Sequence, residues 1–285
     1  RRLLQIRRLT IFKNKTMQPL LRVENLVKHY AVGRSPRSRG NPAALDDVSL
    51  SIAPQTTLAL VGESGSGKST LALCVSCLEQ PTSGSIFFDG VYVTALSEPD
   101  RRSIRPQIQL VFQDPATSLN PRWTALEIVS EPLVVQRRFT KPEHADKVLK
   151  LLDRVGLPRK LASRRPGELS GGQKQRLAIA RALALEPKLI ILDEALSALD
   201  CSVQAQISNL LLELQSFLGL TYLFITHDFA MAAHLADQIA VMNNGRIVES
   251  GSPEKILRSP SHEATRSLLA ATPTLAATQS VLVNS

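Results

Sequence analysis

The stretch Gly62-Glu63-Ser64-Gly65-Ser66-Gly67-Lys68-Ser69-Thr70 constrains this chain more than any other. It fits the pattern G-x-x-x-x-G-K-[S/T], whose backbone N–H groups wrap a polyphosphate. The apolar run Thr57-Leu58-Ala59-Leu60-Val61 before it reads as a buried strand, and Leu71-Ala72-Leu73-Cys74-Val75 after it continues as a helix. Strand, glycine loop and helix are together the context the motif needs. The glycines let the backbone turn its N–H groups inward, and the helix N-terminus adds partial positive charge. Lys68 is placed to reach the β- and γ-phosphates, the Ser69 hydroxyl to ligate Mg²⁺, and Thr70 to bond a further phosphate oxygen. A nucleoside triphosphate with Mg²⁺ is the expected ligand, ATP first among them.

Composition narrows what can surround such a loop. The chain has 285 residues, 44% of them hydrophobic, enough for one large α/β domain or two small ones. No apolar run approaches the roughly 18–20 residues a membrane span needs. The net charge of +9 invites a nucleic-acid or acidic-lipid partner, but much of it is local. Arg1, Arg2, Arg7, Arg8, Lys13 and Lys15 crowd the first stretch, and Arg34, Arg37 and Arg39 a loop. Aromatic residues make up only 4%, poor material for base stacking, so no nucleic-acid partner is expected. Three cysteines, Cys74, Cys77 and Cys201, cannot build a disulfide framework. The Cys74-x-x-Cys77 pair has no second ligand pair and is read as two small buried hydrophobes.

The chain divides by its local signals. Residues 1–16 form a basic leader, expected to be flexible, without the apolar core of a secretory signal. A folded domain is expected over 17–272, and residues 273–285, rich in Ala, Thr and Ser, are expected to be disordered. Leu21 to Val27 reads as a strand, 33–42 as a loop, and Ala44 to Ile52 as a half-buried antiparallel strand. From Thr124 to Leu161 the sequence is mostly helical, with breaks expected at Pro132 and Pro142 and a C-cap at Gly156. A long helix follows over Lys174–Leu185 and another from Val203. Asn244-Gly245 marks a tight hairpin near the end.

Several apolar strands end in chemistry. Lys188 to Leu192 runs into Asp193 and Glu194, Ile108 to Phe112 into Gln113, and Thr221 to Thr226 into His227. In open α/β sheets ligands sit at the carboxyl ends of strands. Asp193 there could hold the nucleotide's Mg²⁺, and Glu194 could accept a proton from an attacking water. Gln113 would position water or Mg²⁺, and His227 would contact the γ-phosphate. Ser170-Gly171-Gly172-Gln173 reads as an N-cap opening a helix, a second anion site without a lysine. Two phosphate-binding helix ends in one chain suggest an ATP shared between two subunits. Tyr30 could stack on adenine or be an ordinary edge aromatic.

This set resembles the nucleotide-binding subunit of an ABC transporter. The resemblance rests on Gly62–Thr70, Gln113, Leu169–Gln173, Asp193-Glu194, Ser197–Asp200 and His227, and spans roughly Leu20 to Leu269. It implies an α/β fold: a P-loop RecA-like core, an antiparallel β-subdomain and an inserted helical subdomain over about 114–180. It also implies a head-to-tail dimer with ATP between the loop of one subunit and Ser170–Gln173 of the other. Carried over, Glu194, His227, Gln113 and Lys68 are catalytic, Ser69, Gln113 and Asp193 serve the metal, and Asp200 works across the interface.

Finer features are similar to the oligopeptide, dipeptide and nickel importer branch. They are the insertion between Tyr30 and Ala44, the run Phe112 to Arg122, Ser197 to Gln206, and Ser261 to Leu269. Glu263 and Ala264 depart from that branch's usual Pro-Tyr, and Cys201 from its usual Val. The implied function is an ATPase that powers peptide import. Its implied partners are two permeases and a second ATP-binding subunit, or a copy of itself, with an external binding protein acting indirectly. It would lie peripherally on the cytoplasmic face of the membrane. The alternative is a non-transport ATPase of the same family acting on ribosomes or DNA.

Overall fold

The computed structural model describes residues 18–30, 43–136 and 141–271. The leader 1–16, the loop 33–42 and the tail 273–285 lie outside the described residues. The fold is α/β with two sheets. Strands β1 (Leu21–Lys28), β2 (Leu45–Ile52), β4 (Ser83–Phe88) and β5 (Val91–Tyr92) form an antiparallel sheet in the order β2-β1-β4-β5. Strands β3 (Thr57–Val61), β6 (Ile108–Val111), β7 (Leu189–Asp193), β8 (Thr221–Thr226), β9 (Gln238–Asn243) and β10 (Arg246–Gly251) form the second, in the order β10-β9-β3-β8-β7-β6. Its pairs are parallel except β9 with β10, a hairpin turned by Asn244 and Gly245 at positive φ.

The period of two along each central strand sorts the core into two layers. Ala59 and Val61, Ile190 and Leu192, and Tyr222 and Phe224 pack on one face. They meet helices α4 (Ala125–Val135), α5 (Lys141–Arg154), α6 (Gly171–Leu183), α7 (Cys201–Leu218) and α8 (Phe229–Leu235). Leu58 and Leu60, Leu189 and Ile191, and Leu223 and Ile225 face the other way, toward the antiparallel sheet and α1 (Lys68–Val75). Each of these large side chains contributes roughly 1.5–3 kcal/mol on burial, so a one-residue register slip in β3, β7 or β8 would exchange the two layers and lose both. Among the described residues no helix is long and apolar enough to cross a membrane.

The remaining helices are α2 (Glu98–Ile104), α3 (Pro115–Ser118), α9 (Pro253–Arg258) and α10 (Glu263–Ala270). Of the two expected helix breaks, the one at Pro132 is absent and the one at Pro142 falls at the start of a helix. Pro132 sits inside α4, and the turn closes after it through Gln136 N–H donating to the Pro132 carbonyl at 3.1 Å. The helix tolerates it because Thr124 and Glu127 form a complete capping box and Ile128, Val129 and Leu133 are buried, so packing outweighs one lost backbone bond. Pro142 is the second residue of α5, where a missing N–H costs nothing. Gly156 turns the chain after α5 at φ 72°, and Leu157 N–H donates back to the Leu152 carbonyl at 2.8 Å. Helix α6 starts at Gly171 and α7 at Cys201, each two or three residues earlier than the apolar pattern indicates, because Ser170 and Asp200 cap them.

Candidate active site

The parallel sheet delivers its chemistry to one edge. β3 ends in the glycine loop, β7 in Asp193 and Glu194, β6 just before Gln113, and β8 just before His227. These four strands are neighbours in the sheet, so their carboxyl ends converge. The loop's shape depends on small residues. At Gly67 the backbone is left-handed, φ 109°, and a Cβ would stand 2.3 Å from the Ala44 carbonyl oxygen. The β9–β10 hairpin braces the loop from behind, with Gly245 N–H donating to the Ser66 carbonyl at 2.9 Å.

Lys68 is almost wholly buried, and its Nζ donates to the carbonyls of Gly62 at 2.8 Å and Glu63 at 2.7 Å. Burial lowers its pKa, and the carboxylates of Glu194, Asp193 and Glu63 oppose that shift. Asp193 shifts the other way: burial raises its pKa, partly offset by a hydrogen bond from Ser69. Its Oδ1 is buried without a hydrogen-bond partner. A buried carboxylate oxygen left unpaired beside a serine hydroxyl is a donor set suited to a hard cation. Among the described residues no cluster of three metal-ligating side chains exists. This pair would therefore hold such a cation only together with ligand oxygens.

Glu194 occupies the centre. Its Oε1 lies 3.9 Å from Lys68 Nζ. Its Oε2 accepts a hydrogen bond from Gln113 Nε2 at 3.2 Å and lies 3.7 Å from His227 Nδ1. The Glu194 backbone is left-handed, φ 46°, uncommon for a residue with a side chain. It is pinned there by its N–H donating to the Ile225 carbonyl at 3.0 Å and by the Ser197 N–H and hydroxyl donating to its carbonyl at 3.1 and 2.9 Å. The structure thus brings together Gln113, Lys68, Ser69, Asp193, Glu194 and His227. Ser197 carries out a positioning task that sequence reading did not give it; the serine three residues after Glu194 was the available signal.

The other candidates stand apart. Ser170 and Gln173 form a reciprocal capping box: Gln173 N–H donates to Ser170 Oγ at 3.3 Å, and Ser170 N–H to Gln173 Oε1 at 3.0 Å. Gly171 and Gly172 open the helix, and a Cβ at Gly172 would stand 2.7 Å from Val203. Asp200 caps α7 by accepting from Val203 N–H at 2.9 Å. Ser170, Gly171, Gln173 and Asp200 are at least partly exposed. Among the described residues no hydrogen bond or ion pair links Ser170–Gln173, Asp200 or Tyr30 to Gly62–Thr70. Tyr30 is exposed, with Lys28 Nζ 5.0 Å from its ring centroid. Glu63, Ser64 and Gly65 form the exposed lip of the glycine loop, and Thr70 lies in the first turn of α1. Cys74 and Cys77 are buried, and burial pushes the Cys74 thiol up to about 11, as befits inert apolar fillers.

Two cavities lie elsewhere. One of about 770 Å³ opens between α5 and the segments that lead into β7 and β8, with a floor that includes Leu151, Leu183 and Leu220. The other, about 290 Å³, lies between β6, α4 and α6, with Leu78, Phe112 and Val135 exposed at it.

The family model described as ABC transporter matches residues 45–197. The Mycobacterium tuberculosis protein "Oligopeptide transport ATP-binding protein OppD" is 49% identical over 257 residues, which is 89% of this chain and 42% of that protein. The chain thus spans less than half the length of that relative. "Dipeptide transport ATP-binding protein DppF" of Escherichia coli is 43% identical over 259 residues, covering 90% of this chain and 78% of that one. Among solved structures, cbiO1 from Clostridium perfringens, described as part of the transporter complex cbiONQ, superposes with a TM-score of 0.76 at 31% identity. It covers 92% of this chain and 99% of its own. The dimeric post-hydrolysis cassette MJ0796, bound to ADP and phosphate, gives a TM-score of 0.73 at 33% identity, with 82% and 98% covered.

Proposed function

Because the chain belongs to the ABC transporter family, we propose that it is the ATP-hydrolysing subunit of an importer for peptides or related small solutes. The observation that carries this is the convergence of Lys68, Asp193, Glu194, Gln113 and His227 on the loop that precedes α1. Lys68 exchanges its two loop carbonyls for phosphate oxygens when ATP enters. Ser69 and the unpaired oxygen of Asp193 fit Mg²⁺, which when bound neutralises charge on the β- and γ-phosphates. Glu194 takes the proton of the attacking water, held in aim by its left-handed backbone and the Gln113 amide. His227, beside the same carboxylate, contacts the γ-phosphate.

Ser170–Gln173, outside this cluster, serves the ATP of a second subunit, either a related chain or a copy of this one. The similar cbiO1, part of a transporter complex, and MJ0796, an ADP-bound dimer, support that reading. The cavity beside β6, with Leu78, Phe112 and Val135 exposed at it, supports docking to a permease and, with it, a peripheral position on the membrane's cytoplasmic face. The test is capture of tagged Glu194→Gln chain from native membranes with ATP and Mg²⁺, with partners identified by mass spectrometry. Two permeases and a second ATPase are expected. Ribosomal or DNA-repair proteins in their place would overturn transport.

A further inference from the structure

Asp46 and Arg246 stand 200 positions apart in the chain and meet behind the glycine loop. Arg246 Nε and Nη2 both donate to Asp46 Oδ2, at 2.8 and 2.6 Å. The pair closes a junction of three backbone segments. Asp46 N–H donates to the Gly245 carbonyl at 2.8 Å, and Gly245 N–H donates in turn to the Ser66 carbonyl at 2.9 Å. The start of β2, the β9–β10 turn and the glycine loop are thus strung on one line of hydrogen bonds. The fit leaves little slack: the Ala44 carbonyl oxygen that crowds Gly67 would also lie 3.2 Å from a Cβ at Gly245. At the ion pair itself the side chains are open to water, Arg246 63% and Asp46 40% exposed. A pair so exposed adds little to the stability of a fold. It is better suited to fixing a local geometry.

That geometry is the direction of one amide. The peptide unit joining Ser66 to Gly67 is planar and trans, so its N–H points opposite to its C=O. With the carbonyl tied back to Gly245, the Gly67 N–H faces away from the hairpin and into the loop. None of the hydrogen bonds among the described residues uses it. We propose that Asp46 and Arg246 are positioning residues for this donor. Their ion pair fixes the turn that holds the Ser66 carbonyl, and so aims the Gly67 N–H at a phosphate of the nucleotide. The inference rests on the ATP reading above. A loop free to rotate that peptide loses a preorganised donor, and the cost of ordering it falls on binding. Among the described residues neither side chain makes a hydrogen bond or ion pair to Glu194, Gln113 or His227. The pair therefore acts on nucleotide affinity and not on the chemical step.

The test uses the full chain with Arg246→Ala, Asp46→Ala and the two together. The Kd for ATP–Mg²⁺ is measured by titration calorimetry, KM and kcat by steady-state hydrolysis, and Tm by thermal unfolding without nucleotide. Each single variant is expected to weaken the Kd and raise KM about fivefold, equivalent to about 1 kcal/mol, with kcat within about twofold of the parent. The double variant is expected to match either single one, because the same contact is lost once. Tm should fall by no more than about 4 °C, as for an exposed pair. A double variant weakened by the product of the single effects, about 25-fold, would show two independent residues and overturn the pair. A fall in kcat with KM kept would overturn the proposal too. So would a larger fall in Tm or failure to fold, since the pair would then hold the fold and not the loop. If the parent chain itself binds no ATP, the ATP reading falls, and this inference with it. If the parent binds and the variants bind equally, only this inference falls.

Discussion

Lys68 Nζ and Glu194 Oε1 face each other at 3.9 Å, reaching past β8 from the ends of β3 and β7, each group also held by other partners. The ammonium is in reach of the carboxylate but does not clasp it, because the loop carbonyls of Gly62 and Glu63 hold it closer. A phosphate entering between them separates a binder from a base. Glu194→Gln keeps the shape and the Gln113 contact but removes the proton acceptor. ATP turnover should fall by roughly 10²–10⁴-fold with ATP affinity kept, the size of a general-base contribution. Steady-state hydrolysis and nucleotide titration read the two separately, and near-normal turnover would sink the assignment.

The unpaired Asp193 oxygen makes a metal prediction. In the parent chain, chelation with EDTA should weaken ATP binding on the order of tenfold or more, about 1.4 kcal/mol per decade. In Asp193→Asn the same chelation should change little, because the charge that holds the cation is already gone. Equal EDTA sensitivity in the two chains would exclude Asp193 from the metal site.

Ser170→Arg removes a helix cap and fills the mouth of α6 with bulk and charge. The lost cap should cost about 1 kcal/mol of stability. ATP binding at Gly62–Thr70 should survive, because among the described residues no polar contact joins the two regions, while ATP-dependent assembly of two subunits should be lost. Sedimentation in the Glu194→Gln background, with the partner subunit present, measures this, and assembly at the parent's ATP concentration would refute the shared-nucleotide reading.

Glu249 supplies a pH dependence remote from the site. Burial pushes its carboxyl up, but the polar groups around it, the backbone N–H groups of Ser261 and His262 among them, outweigh it and hold the pKa at about 2. The two amides donate at 2.8 and 3.0 Å and tie the start of α10 to β10. A carboxyl depressed from the ordinary 4.5 stabilises the fold fully above 4.5, and that contribution fades as pH falls toward 2. Glu249→Gln should cost about 1–3 kcal/mol at neutral pH and flatten the acid limb of a Tm-versus-pH curve between those values. An unchanged acid limb would contradict the clamp.

Much of the site was legible in the sequence because each functional group closes a largely apolar run. Asp193-Glu194 and His227 follow strands that are buried throughout or nearly so, and Gln113 follows the short, half-buried edge strand β6; a parallel strand has one end at which a polar group is useful. The hairpin at Asn244-Gly245 was legible for a local reason, since few residues accept two consecutive positive φ values. What the sequence hid was tertiary. Pro132 reads as a break, and only packing of α4 against α6 keeps the helix whole. The left-handed turn at Glu194 has one local signal, Ser197, and otherwise depends on Ile225 of a neighbouring strand, whose carbonyl accepts from the Glu194 N–H.

The order β6-β7-β8-β3 has a consequence for how this site can vary. Adjacent strands in a sheet stand about 4.8 Å apart, so the lateral separations among Gln113, Glu194, His227 and the glycine loop are fixed by backbone hydrogen bonds that no side chain sets. Substitution can delete a group or change its chemistry, but it cannot slide one group sideways by an ångström to suit a different reaction. Diversity in a chain built this way has to be found at its outer faces, where α-helices and loops choose their partners, while the span across the phosphate remains a constant of the sheet itself.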